Sequence, residues 1–233
     1  MEKLAESVSE KTAGKFQLEL FYGAALSKSR ENLDSISFGA IEMAQFCASY
    51  HADKNPTITV LELPMLPIKD LETQRKVDLA VYDHPAVKKD LARWNATLIM
   101  SSLMPQYNFI GTGDAPAKLE DFSGMRVRAL GGVGKAMSQI GAVPTTVTAS
   151  ETYSALDAGA VQAVSFAPHA HMAFKTVEVG KWYTTNLNPG TVNCPVVANT
   201  EALEALPSEY RKALEESVAE AYDHYIANYN KVF

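Results

Sequence analysis

The chain keeps switching hydrophobic period. Short apolar runs of strand length alternate with segments of helical spacing, twice in succession, and this restricts it to an α/β architecture. Leu4 and Val8 set a helical stripe closed by Gly14, and Phe16 to Phe21 (FQLELF) then alternates like a strand. Ser27 or Ser29 can cap a second helix that carries Leu33 and Ile36 and stops at Gly39. Ile41 to Phe46 and Ile58 to Leu63 (ITVLEL) read as extended. Residues 69–95 have helical spacing broken at Pro85, and Thr97 to Leu103 returns as a strand.

From Leu119 the pattern repeats in kind. Strand Met125 to Ala129 leads through a glycine loop to a helix near Lys135 to Ile140, then to strand Val143 to Val147 and a Ser150-capped helix ending at Gly159. Strand Val161 to Phe166 follows, then a helix from Pro168, then WYTTN and the extended VNCPVVAN. Leu214, Val218, Tyr222 and Ile226 recur at i, i+4 in an amphipathic helix that starts at Ser208. The alternation predicts largely parallel sheets in two α/β lobes with a crevice between them. The expected division is residues 1–103, residues 104–198, and a helical segment 199–233 packed on the body.

A formal net charge of −6, without a basic stripe, speaks against a nucleic-acid partner. No apolar run reaches the roughly 18 residues that span a bilayer, and MEKLAESVSEK lacks the features of a secretory signal. Cys47 and Cys194 have no metal-ligand spacing and are expected as two buried free thiols.

The segment GMRVRALGG sets Arg126 and Arg128 on one strand face just before a glycine turn. Ligands of open α/β sheets gather outside the carboxyl ends of strands, and a guanidinium there can hold a carboxylate through two hydrogen bonds, so Arg128 is the first candidate. Gly131, Gly132 and Gly134 fit neither nucleotide-loop spacing and read as a tight turn. His169 and His171 suggest zinc, yet no third ligand is near in sequence, so metal and cofactor are both expected to be absent. No nucleophile elbow is present, so an enzyme is not expected. Tyr22, Tyr50, Tyr107, Phe109 and Phe166 cluster where strands end, as a small-ligand pocket with few polar groups requires.

Several stretches together resemble the extracytoplasmic solute-binding proteins of tripartite ATP-independent periplasmic (TRAP) transporters. They are KTAGKFQLELFYGAALS, residues 36–44, ELPMLP, LEDFSGMRVRALGG, IGAVPTTVTASETYSALDAGAVQAV and ANTEALEALPSEYRKALEE. The resemblance implies a two-lobed, type II periplasmic-binding-protein-like scaffold that closes on a small organic acid, with Arg128 gripping its carboxylate. Further contacts are implied from Gln45, Phe46, Ser49 and Tyr50, from Ser165 and Phe166, and from Asn193; Tyr22 and His169 complete the candidate set. Many relatives carry acidic or amide groups where this chain has Gln162, Ala163, Ser165 and Phe166, so a monocarboxylate with an apolar or aromatic part is expected rather than a C4-dicarboxylate. By the same resemblance the protein is a periplasmic monomer that serves the membrane subunits of a TRAP transporter. The family's signal peptide, first strand and C-terminal part are expected to be missing from this chain. A ligand-sensing receptor domain on the same fold and a metal-assisted hydrolase using His169 and His171 are the alternatives.

Overall fold

In the computed structural model, which describes residues 1–232, two compact units are interleaved along the sequence. Unit 1 takes Met1–Phe46, Leu71–Ser102 and Cys194–Phe233, and unit 2 takes Cys47–Asp70 and Leu103–Asn193. The consecutive division 1–103, 104–198, 199–233 does not describe these units, because 47–70 leaves the first stretch and the chain returns to unit 1 at Cys194.

In chain order the helices are α1 (Glu2–Lys11), α2 (Asn32–Ser37), α3 (Leu71–Asp83), α4 (Pro85–Ala92), α5 (Gly131–Gln139), α6 (Thr152–Asp157), α7 (Pro168–Ala173), α8 (Thr176–Val179), α9 (Thr200–Ala205) and α10 (Ser208–Val232). The strands are β1 (Met43–Gln45), β2 (Ala96–Met100), β3 (Asn108–Gly111), β4 (Arg126–Arg128), β5 (Val143–Thr145), β6 (Ala163–Phe166), β7 (Trp182–Tyr183) and β8 (Val196–Asn199).

Unit 1 is built on the sheet β1-β8-β2, with β8 antiparallel to both neighbours. Val196, Val197 and Ala198 are buried, as a central strand covered on both faces requires. Helix α1 packs on α10 and buries Leu4 and Val8 completely, a burial that contributes about 1.5–3 kcal/mol per side chain. Asn199 closes β8 and opens α9 by accepting the Ala202 N–H at 2.8 Å, while its amide donates to the Ile36 carbonyl at 2.7 Å. Asp78 of α3 accepts a hydrogen bond from the Ser101 hydroxyl, and the Ser101 N–H donates to Tyr222 Oη of α10 at 2.5 Å. The end of β2 is thereby tied to two helices.

Two segments expected as strands are not strands. The FQLELF stretch finds no pairing strand among the described residues, and alternation alone does not satisfy a strand's backbone groups. Instead, the Phe16 N–H donates to Thr12 Oγ1 at 3.1 Å and its ring stacks on Tyr210 at 5.4 Å. Thr57–Glu62 forms a 3-10 turn after Pro56, because Ile58 and Leu61 are buried at the three-residue spacing that a 3-10 turn stacks on one side. Helix α2 begins after Glu31 rather than at Ser27 or Ser29, without a side-chain cap.

Unit 2 carries the sheet β5-β4-β6-β3-β7. Strands β5, β4 and β6 run parallel, and β3 is antiparallel to both β6 and β7. Parallel pairing is thus confined to three strands, which corrects the expectation of largely parallel sheets. Two connections between consecutive strands, β2 to β3 and β7 to β8, pass from one unit to the other, so neither is a crossover within one sheet. Gly111 ends β3 where a Cβ would stand 2.1 Å from the Trp182 indole. Helix α6 has no side-chain cap, from Ser150 or any other residue; it continues the 3-10 turn Ala149–Glu151, which a Thr148–Glu151 capping box opens, with Thr148 Oγ1 and Glu151 Oε2 2.5 Å apart.

Cys47 and Cys194 are both disulfide-bonded, contrary to the expectation of free thiols. Burial of a sulfur is common to thiols and disulfides, so composition could not separate them.

Candidate anion-binding site

The site begins with the strand that positions Arg128. Strand β4 lies between β5 and β6, and Arg128, its last residue, is in register with Thr145 and Val164. Alternation separates the two arginines of the strand by Val127, which is fully buried. Arg126 is exposed and spends its guanidinium on the carbonyls beyond α6, with Nε donating to Ala160 O and Nη2 to Gly159 O, both at 2.9 Å.

Arg128 is 1% exposed and is the only Lys or Arg buried among the described residues. Its Nε donates to the Val147 carbonyl at 3.0 Å, Nη1 to the Ser165 carbonyl at 3.0 Å, and Nη2 to the Tyr50 hydroxyl at 3.3 Å. The Ser165 hydroxyl donates back to the Arg128 carbonyl at 3.1 Å. The guanidinium carbon stands 4.3 Å from the centroid of the Phe166 ring, within cation–π range. No carboxylate of the described residues forms an ion pair with it. Each terminal nitrogen keeps one further N–H beyond these bonds. A buried cation held by neutral acceptors costs several kcal/mol relative to one with a counter-anion, so the arrangement is suited to receive an anion.

Behind the guanidinium lies an aromatic group. Phe166 stacks on Phe174 at 5.2 Å and meets His171 and Tyr107 edge-on at 5.6 and 6.4 Å. His171 is buried, which pushes its pKa down to about 4 and keeps the ring neutral. Its Nε2 faces the Asn108 carbonyl at 3.3 Å and its Nδ1 the Thr176 hydroxyl at 2.7 Å, so both nitrogens are engaged and neither is offered to a metal. Among the described residues no group of three or more His, Cys, Asp or Glu is arranged to hold a metal ion.

Arg128, Tyr50, Ser165 and Phe166 are therefore brought together in unit 2. Asn193, also of unit 2, is buried, and its carbonyl accepts the Ala48 N–H at 2.9 Å. His169 sits half-buried on α7, and burial lowers its pKa. Gln45 and Tyr22 belong to unit 1. There the Gln45 amide donates to Ser102 Oγ at 2.8 Å, and the exposed Tyr22 donates to Glu2 at 3.1 Å.

Sequence reasoning missed Glu62. It is 2% exposed, and burial raises its pKa while hydrogen bonds from Ser49 and Asn193 oppose the rise. The signal that could have found it is the Gly131–Gly132 pair, since a Cβ on Gly132 would stand 1.6 Å from the Glu62 carbonyl oxygen. Residues this close to a neighbouring backbone must lack a side chain.

Residues 1–232 match the profile of the bacterial extracellular solute-binding proteins, family 7. The chain is 29% identical over 227 residues to the C4-dicarboxylate-binding periplasmic protein DctP of Rhodobacter capsulatus, covering 95% of this chain and 66% of that protein. It is 23% identical to the monocarboxylate 2-oxoacid-binding periplasmic protein of Nostoc sp. (strain PCC 7120), covering 94% of this chain and 61% of that one. Among solved structures, the Bordetella pertussis extracytoplasmic solute receptor that binds pyroglutamic acid superposes with a TM-score of 0.83 at 23% identity, covering 96% of this chain and 73% of that one. A TRAP periplasmic solute-binding protein from Sulfitobacter with bound β-D-galacturonate gives 0.84 at 18% identity, covering 99% and 77%. These likenesses share the α/β fold described above.

Proposed function

Since the chain belongs to the bacterial extracellular solute-binding proteins of family 7, we propose that it captures a small organic acid outside the cytoplasm and passes it to the membrane subunits of a TRAP transporter. The observation that carries this reading is Arg128, a buried guanidinium to which no described residue supplies a counter-anion. A carboxylate meeting the remaining N–H groups on Nη1 and Nη2 would make charge-assisted hydrogen bonds worth on the order of 1.5–3 kcal/mol each. Phe166 covers one face of the guanidinium, so the carboxylate comes in at its edge, in the plane where the donors point.

The same surroundings favour a monocarboxylate with an apolar part. A second carboxylate would need a second desolvated cation, and among the described residues Arg128 is the only buried Lys or Arg, whereas Phe166, Phe174 and Tyr107 provide apolar surface behind it. The disulfide-bonded cysteines fit an oxidising compartment and so support a periplasmic location. Family 7 consists of binding receptors, and capture and release need no chemical step.

The test is a thermal-shift screen of pyruvate, longer 2-oxoacids, pyroglutamate, picolinate and malonate on the wild type and on Arg128→Ala. A binder present at a hundredfold excess over its Kd stabilises by about 2.7 kcal/mol, an easily read rise in melting temperature. The expected result is stabilisation by particular monocarboxylates that the variant loses. Equal stabilisation of the folded variant, or none of the wild type by any acid, would overturn the reading.

A further inference from the structure

We propose that Glu62 is a positioning residue for the carboxylate site, holding Tyr50 in place beside Arg128 and fixing the segment that bears Asn193, without itself meeting the ligand. The inference rests on the reading of Arg128 given above. Glu62 ends the 3-10 turn Thr57–Glu62 and turns its carboxylate inward, where it is 2% exposed. One oxygen accepts the Ser49 hydroxyl at 2.5 Å, and the other accepts the Asn193 backbone N–H at 3.0 Å. The Ser49 backbone N–H also points to this carboxylate.

Ser49 shares the short turn Ala48–Tyr50 with the tyrosine whose hydroxyl receives Arg128 Nη2. The Ala48 N–H to Asn193 carbonyl bond, at 2.9 Å, joins the same two segments from the other side. A single carboxylate thus pins both segments that bear the candidate ligand residues Tyr50 and Asn193. The third wall is the start of α5. A Cβ on Gly131 would stand 2.3 Å from Glu62 Oε2 and 2.8 Å from Ser49 Oγ, and one on Gly132 only 1.6 Å from the Glu62 carbonyl oxygen. The glycine pair is the room this brace needs, and Gly131 also takes a φ of 49° that favours glycine.

Acceptor count explains why the residue is an acid. The backbone N–H groups of Ser49 and Asn193 can only donate, so a glutamine, whose NH2 could face only the Ser49 hydroxyl without a clash, would offer both of them a single acceptor oxygen. The effect on the site passes through position: a looser turn lets the Tyr50 hydroxyl leave Arg128 and lets residue 193 shift.

The experiment uses Glu62→Gln in the full chain, with Tyr50→Phe and the double variant, titrated with pyruvate and pyroglutamate by calorimetry. Melting temperatures and a 1H–15N spectrum of the ligand-free proteins are recorded in parallel. The expected results are affinity weakened about tenfold in Glu62→Gln, a smaller further loss on the Tyr50→Phe background, and an upfield move of the Asn193 amide proton. Wild-type affinity in folded Glu62→Gln, or losses that add fully with Tyr50→Phe, would overturn the proposal. If neither acid binds the wild type, the carboxylate reading fails for these probes. The Asn193 resonance still decides the brace, because an amide unmoved by the substitution means that Glu62 does not hold it. Should Glu62→Gln not fold, Ser49→Ala removes one of the same bonds and is read in the same way.

Discussion

Asp78 and His171 titrate in opposite senses because each is buried in the form that burial tolerates. Burial pushes Asp78 up to about 6 from 3.8, opposed by the Ser101 hydrogen bond, and pushes His171 down to about 4 from 6.5. For Asp78 the folded chain holds the proton more tightly than the unfolded chain, so its contribution to stability falls as pH rises from about 4 to 6 and stays low above that. For His171 the unfolded chain takes up the proton first, so stability present above about 6.5 is lost as pH falls toward 4. Each swing is on the order of 3 kcal/mol, and in the wild type they partly cancel. Asp78→Asn keeps an acceptor for Ser101 and removes the charge. We expect it to raise the melting temperature near neutral pH and to leave the downward acid slope of His171 exposed. An unchanged pH profile would mean that Asp78 is ionised in the fold at no cost. The place of Arg128, at the end of a strand and just before the glycines that open α5, was legible in the sequence. Glu62 was not, because one acidic residue in ITVLEL carries no local sign of burial, whereas in the fold it is 2% exposed.

Elements were legible where the local pattern had a partner within its own unit. Helices α3 and α4, split at Pro85, and the amphipathic α10 stand where period and capping put them. FQLELF had the right alternation and found no strand to pair with among the described residues, and β3 was overlooked because four residues ending in glycine make a weak strand signal. That glycine carries a prediction. The Trp182 indole crosses Gly111 so closely that Gly111→Ala must displace the ring or part β3 from β7, and its Nε1 donates to the Thr112 carbonyl at 3.2 Å. We expect a loss of about 1–3 kcal/mol in denaturant unfolding, with a red-shifted tryptophan emission in the native state. A variant as stable as the wild type would show that the indole moves freely at that edge.

At the scale of the whole molecule, the α/β class followed from the alternation, whereas the interleaving of the units could not, since nothing local marks where a chain leaves one core for another. The disulfide-bonded cysteines give a prediction at this scale. Reductant is expected to lower the melting temperature, the loss of a native disulfide being worth about 2–5 kcal/mol, and Cys47→Ala with Cys194→Ala should match the reduced protein. An unshifted melting curve in reductant would show that the bond adds nothing to stability. The chain passes between the units after Phe46, Asp70, Ser102 and Asn193, and β8, the middle strand of unit 1, follows all of unit 2. During synthesis, unit 2 therefore has every strand it needs while β1 and β2 still face an empty place. A ribosome that stalls before Val196 releases one finished half and two unpaired strands, which is a substrate for proteases or a seed for aggregation.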